Sequence, residues 1–257
     1  MKLTQKWFSL LLLACATHSY AQSVNQVSVF VDEQQRTNIR FNEPPRADQL
    51  ITNALQQLKL SSLDIDWQHA ALFETSDSFA LKTEVLMRLA NEEDFAPRQQ
   101  KPYWRTLRDE LRAMAFAPRI FTPLDPDVTR IDALQNPRLS GQYHLRFDTQ
   151  VNQVFVLGAV KQSGKFAWQQ RHGALYYANQ AGLLNDATSF ITVIQPDGSV
   201  EKHSVAYWNS DFAEVAPGAI VYVPMPTHSP ILALNPPQES FTTNALVAEL
   251  LRNAWSL

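Results

Sequence analysis

Between Val154 and Met225 the apolar residues change period several times, and few folds accommodate the resulting order. The run Val154-Phe155-Val156-Leu157-Gly158-Ala159-Val160 reads as an apolar strand that turns at Lys161-Gln162-Ser163-Gly164. Lys165-Phe166-Ala167-Trp168 pairs back on it. Leu175, Tyr176, Ala178, Asn179 and Ala181 then suit a short helix, and Gly182 stands where a left-handed C-cap belongs. Phe190-Ile191-Thr192-Val193-Ile194 is a buried strand, Pro196-Asp197-Gly198 a hairpin turn, and Ser199 to Val205 the return strand. Ala216-Pro217-Gly218 turns again into Ala219-Ile220-Val221-Tyr222-Val223-Pro224. Two strands, a helix and three more strands follow the order of a β-grasp (ubiquitin-like) domain, which is predicted here over residues 151–224.

A second unit of the same kind precedes it, over residues 22–147. Val27, Val29 and Val31 line one face of a strand, Asp32 to Gln35 turn, and Thr37 to Phe41 return. Asp48 is placed to cap a helix with the stripe Leu50, Ile51, Ala54, Leu55 and Leu58. Leu63-Asp64-Ile65-Asp66-Trp67 alternates like a strand. The pattern is then interrupted by a helical hairpin at about 78–117, from Phe79 to Leu89 and from Tyr103 to Phe116, burying Trp104, Leu107, Leu111 and Met114. All seven glycines lie from Gly141 onward, so the first half must bend with Pro, Asn and Asp. Asp-Pro and Asn-Pro steps hold the preceding residue extended, and the Asx side chain can close a turn on its own backbone.

The N-terminus reads as a leader over residues 1–21: Lys2 and Lys6, the apolar run Trp7 to Ala14, and Ser19-Tyr20-Ala21 as a cleavage site. Leu12-Leu13-Ala14-Cys15 also resembles a lipoprotein box in which Cys15 is acylated, and both readings stand. Cleavage near Ala21 removes Cys15, the sole cysteine, and with it any disulfide, thiol nucleophile or Cys-based metal site. It also leaves 20 basic against 25 acidic residues, which argues against a nucleic-acid binder. No later run approaches the ~20 apolar residues of a membrane helix. A soluble periplasmic protein without a transmembrane span is expected.

The stretch after the hairpin carries a resemblance. Arg119-Ile120, Leu124-Asp125-Pro126-Asp127, Arg130, Asn136-Pro137-Arg138-Leu139, Gly141-Gln142-Tyr143-His144-Leu145 and the later Val154-Phe155-Val156-Leu157-Gly158 resemble the GfcC/YjbG family of capsule and exopolysaccharide proteins. Ala216 to Pro224 resembles the P-G-D-x-I-x-V-P ending of sugar-export β-grasp domains, with Ala219 in place of the usual Asp. The resemblance implies an α+β protein: two β-grasp domains similar to those of the outer-membrane polysaccharide exporter Wza, a hairpin inserted in the first, and a C-terminal amphipathic helix. It further implies a role in capsule or exopolysaccharide assembly, with polysaccharide or outer-membrane export proteins as partners.

Residues 225–257 hold a Pro-rich segment and then that helix, from Ser240 to Trp255. Its apolar side, Val247, Leu250, Leu251, Ala254 and Trp255, either packs on its own chain or meets a partner. Candidate contacts for an anionic sugar or a partner's carboxylates are Arg119 first, then Arg130, with Arg105, Arg108 and Arg112 along the hairpin. The competing reading pairs these arginines internally, Arg119 and Arg130 with Asp125 or Asp127. No catalytic, metal or cofactor motif is present: the histidines are scattered, and no P-loop, G-x-S-x-G or G-x-G-x-x-G occurs. A non-catalytic assembly or export factor is therefore expected, with a polysaccharide hydrolase or lyase as the alternative.

Overall fold

The computed structural model describes residues 25–75, 79–129, 131, 133–185, 188–208, 211–227 and 242–256. The leader with Cys15, Arg130, Ser240 and most of the Pro-rich segment lie outside the described residues. In chain order the first elements are β1 (Asn25–Val31), β2 (Gln34–Phe41), α1 (Ala47–Leu58), β3 (Ala71–Glu74), α2 (Ala80–Phe95) and α3 (Lys101–Ala113). Then come β4 (Ala115–Phe116), β5 (Arg119–Ile120), α4 (Pro126–Thr129), β6 (Gln142–Phe147), β7 (Gln153–Gly158) and β8 (Gly164–Ala167). The last are α5 (Ala174–Gln180), β9 (Phe190–Ile194), β10 (Val200–Ser204), β11 (Ile220–Val223), α6 (Thr243–Leu251) and β12 (Ala254–Ser256).

The first sheet has the order β2–β1–β6–β3–β5, with β1 and β6 parallel at its centre. The second repeats it as β10–β9–β11–β7–β8, with β7 and β11 parallel. First and last strands side by side and parallel, with a helix crossing between, is the β-grasp arrangement, so both sheets have the expected fold.

Helix α1 buries Leu50, Ile51 and Ala54 completely against β1 and β6. It starts one residue ahead of Asp48. The Arg46 N–H donates to Gln49 Oε1 (3.0 Å), and Asn136 Oδ1 accepts from the Asp48 N–H (3.1 Å). The Asn136-Pro137 step thus caps a helix far away in sequence instead of closing a turn on itself. Without glycine, left-handed backbone in this half falls on Asp32 (φ 49°) and Glu33 (φ 65°), the two turn residues between β1 and β2, and on Lys59 (φ 57°) after α1.

The predicted strand at Leu63–Trp67 is instead a 3₁₀ turn at Ser62–Asp64. Ser61 Oγ accepts from the Leu63 N–H, and Asp64 Oδ2 accepts from the Ser61 N–H, at 3.2 and 3.0 Å. Those local bonds close the turn. The strand lies further on, at Ala71-Leu72-Phe73-Glu74, whose first three residues are buried.

The hairpin α2–α3 is inserted in the first unit yet completes the core of the second. Val85, Leu89, Trp104, Leu107 and Leu111 are buried in one cluster with Val154, Val156, Val221 and Tyr222. Helix α6 closes the same cluster. Val247 and Leu250 have no exposed surface and Leu251 has 1%. The apolar side predicted as a possible partner contact is therefore covered by its own chain. Thr242 caps α6, its Oγ1 accepting from the Ala245 N–H at 3.2 Å. Asn244 imitates a strand backbone: Oδ1 accepts from Tyr222 Oη (2.6 Å) and the Met225 N–H (3.0 Å), while Nδ2 donates to the Met225 carbonyl (2.8 Å). The helix ends at Leu251, earlier than predicted, because the chain changes to strand: β12 pairs with β4. Ala254 is buried there, and Trp255 lies against Phe30 and His144 of the first sheet, centroids 5.0 and 4.9 Å away.

Candidate functional site

The two sheets meet along a seam in which polar side chains gather. On one side is Arg119 in β5. Its Nη2 donates to the Pro196 carbonyl in the β9–β10 turn (2.8 Å), and its backbone N–H donates to Asn253 Oδ1 (2.9 Å). Its guanidinium stands 6.0 Å from the Phe73 ring centre and 5.6 Å from that of Phe121. Arg146 of β6 stands over the same Phe73 at 5.8 Å and donates through Nη1 to the Trp255 carbonyl (3.0 Å). Arg252 stands over Phe121 at 4.1 Å and pairs with Glu249 (3.1 Å). Burial pushes the Arg119 guanidinium down to about 10; Arg146 adds repulsion and Asp197 opposes it. It stays charged at neutral pH, held by aromatic faces and a carbonyl.

Gly198 in the facing turn has φ 87°, and a Cβ there would come within 2.5 Å of Phe121 Cε1 and 3.1 Å of Arg119 Nη1. Only glycine lets the turn approach this closely. Beside it lies a recess of ≈ 280 Å³, lined by Trp67, Arg119, Phe121, Leu124 and Asp197 among others.

Further along the seam, buried His69 joins the units. Its Nε2 is 2.6 Å from the Pro217 carbonyl, and Nδ1 is 2.9 Å from Asp66 Oδ2. Gly218 (φ 78°) follows directly, and a Cβ there would run into the His69 imidazole. The Pro-Gly turn is thus the second unit's docking point on the first. A cleft of ≈ 280 Å³ opens next to it, lined by Asp32, Glu33, Arg146, Asp148 and Lys165 among others. Burial raises the Asp148 carboxyl, with Arg146 acting against that. Asp32 is committed to the fold, accepting from the Thr149 N–H and Oγ1 at 2.9 and 3.1 Å.

The predicted contacts divide. Arg119 is in the seam. Arg105 and Arg108 are elsewhere, both paired with Glu93 of α2, at 2.8 and 2.6 Å. Arg112 pairs with Asp109 at 2.7 Å. Asp125 Oδ1 accepts from the Asp127 N–H (2.9 Å), a turn contact. Arg146, Arg252, Phe73 and Phe121 complete the cluster around Arg119 and were missed by sequence. Sheet register brings Arg119 of β5 and Arg146 of β6 to the two sides of β3, through Phe73↔Arg119 and Ala71↔Arg146. Among the described residues no helix is long and apolar enough to cross a membrane. No group of three or more His, Cys, Asp or Glu side chains among them is placed to hold a metal.

Two β-grasp sheets locked by an inserted hairpin and a C-terminal helix define a two-unit β-grasp protein. Comparison with known families agrees in both parts. The N-terminal model described as capsule biosynthesis GfcC matches residues 21–149, and the C-terminal one matches residues 162–254. The chain belongs to the GfcC family of capsule biosynthesis proteins. It is 30% identical over 161 residues to the uncharacterized protein YjbG of Escherichia coli (strain K12). That match spans 61% of this chain and 66%, just under two thirds, of the relative.

Proposed function

We propose that the protein is a non-catalytic periplasmic factor of capsule or exopolysaccharide assembly or export, acting by binding polysaccharide or a partner in the export machinery. The observation that carries this reading is the match of capsule-biosynthesis family models to both parts of the chain. The side chains support it. Asp32, Asp125, Glu93, His69 and Arg119, each suited to acid–base or anion chemistry, hold backbone or partner side chains in the fold. A glycosidase needs two carboxyl groups facing one sugar across a gap of several Å, and these carboxylates are used within the fold.

Three measurements test it. A strain lacking the gene should lose surface polysaccharide and regain it on complementation. Purified protein incubated with that polysaccharide should leave its chain length unchanged on size-exclusion chromatography. Shortened chains with new reducing or unsaturated ends would replace this reading with the hydrolase or lyase. Mass spectrometry of the mature N-terminus should place it near Gln22; a diacylglyceryl-modified Cys15 would make the protein a lipoprotein.

A further inference from the structure

The loop between β10 and β11 exposes three aromatic side chains that the fold does not use. Tyr207 is 100% exposed, Trp208 75% and Phe212 66%. Large exposed rings close together in sequence mark a contact surface. Phe212 also lines a recess of ≈ 260 Å³ together with Leu175, Tyr176, His203 and Asp211.

His203 supplies an independent observation. It is 4% exposed, and its Nε2 is 2.9 Å from Glu201 Oε2. Its Nδ1 is buried with no hydrogen-bond partner among the described residues. With Nε2 donating to the carboxylate, the neutral ring presents an acceptor at Nδ1. A buried acceptor without a donor calls for one.

The floor of the recess is held in place. Tyr176 Oη donates to Gln169 Oε1 (2.8 Å), and the His172 ring lies 3.9 Å from the Tyr176 ring. Arg171 adopts φ 61°, and its N–H donates to Glu214 Oε1 (2.9 Å), which ties the loop before α5 to the aromatic loop.

We propose that this shelf binds an uncharged stretch of polysaccharide, with Trp208 and Phe212 against the C–H faces of sugar rings and His203 and Asp211 taking hydroxyl donors. The proposal rests on the reading that the protein serves polysaccharide assembly or export. A pyranose has an apolar C–H face and a rim of hydroxyls, and the shelf offers the complement of both: ring faces whose negative quadrupole attracts C–H, and acceptors beside them. Charge separates this ligand from the alternatives. Loops that enter an anionic membrane surface carry lysine or arginine around their aromatics. Here Asp211 and Glu214 flank the rings against a single guanidinium, Arg171, which disfavours both anionic lipid and an acidic polymer.

The test is affinity electrophoresis of the full mature protein in gels containing the producing strain's purified exopolysaccharide, with dextran as neutral probe and alginate as anionic probe. Wild type should be retarded by the exopolysaccharide and by dextran more than by alginate. W208A, folded as judged by thermal melting, should bind about tenfold more weakly, the loss of one stacking contact, and the double variant W208A/F212A more weakly still. W208F should restore most of the retardation. Variants retarded like wild type would overturn the shelf while leaving polysaccharide binding elsewhere on the protein in place. Failure of wild type to bind either probe would also overturn it, and the assembly role would then rest on the deletion strain's surface polysaccharide. Flotation with phosphatidylglycerol vesicles that depends on Trp208, without glycan binding, would make the loop a membrane contact and overturn the proposal too.

Discussion

The guanidinium of Arg119 faces inward, and that changes what its loss should do. A residue kept for an external anion can be removed at little cost to stability. Arg119 instead holds the Pro196 carbonyl and lies against two rings. Arg119→Ala leaves that carbonyl without its charged donor, a loss of about 1.5–3 kcal/mol. A clear drop in melting temperature is expected. An unchanged melting temperature combined with lost polysaccharide contact would return Arg119 to the surface role its position in the family motif suggested. His144 gives a pH signature. Desolvation holds its pKa below the ordinary 6.5 where it packs with Phe30 and Trp255. The unfolded chain therefore takes up this proton more readily than the folded one. The contribution is intact above the unfolded value and is lost progressively as pH falls from there through the lower folded value. Melting followed from about pH 7.5 down to about pH 5 should show falling stability, and His144→Phe should remove that part of the slope.

At the scale of elements, periodicity was enough wherever a segment's own neighbours decide its conformation. Strand β9 runs from Phe190 to Ile194 as the sequence predicts, because a branched apolar run bounded by a Pro-Asp-Gly turn has few other options. Helix α1 and the hairpin α2–α3 were legible for the same reason. What an apolar stripe does not state is its partner. Val247, Leu250 and Leu251 announce that they must be covered, and only the packed molecule shows them covered by the hairpin and the second sheet. Leu250→Ala should cost about 2–5 kcal/mol. Removal of residues 242–257 should leave an aggregating protein that melts without a cooperative transition. A folded, soluble monomer after that truncation would mean the helix is peripheral to the core. Short elements were misread where local side-chain bonds override alternation, as at Ser61 and Asp64.

For the whole molecule, the order of the two sheets could be read in the sequence, but their joint could not. The hairpin lies within one family match, and its packing partners lie in the other or in the strand between the two. Residues 22–149 and 151–257 expressed separately should each expose apolar surface and fail to fold alone; mixed during refolding, they should recover a cooperative melt. Independent folding of either part would contradict the shared core. The arginine cluster escaped detection for a related reason. Arg119, Arg146 and Arg252 are far apart in sequence and share no spacing; register and the returning C-terminal strand bring them to two phenylalanines.

The shared core also sets a clock. Val85 and Leu89 of α2 leave the ribosome early, while the α6 residues packed on that helix are made much later. At the ~5–20 residues per second of synthesis, the hairpin waits roughly 7–30 s for its cover. The second unit's core closes only once α6 arrives, and the contact with the first sheet only once Trp255 reaches Phe30 and His144. Throughout that interval the nascent chain offers a long apolar face to whatever receives it, and any handler that needs the polypeptide unfolded has its chance then.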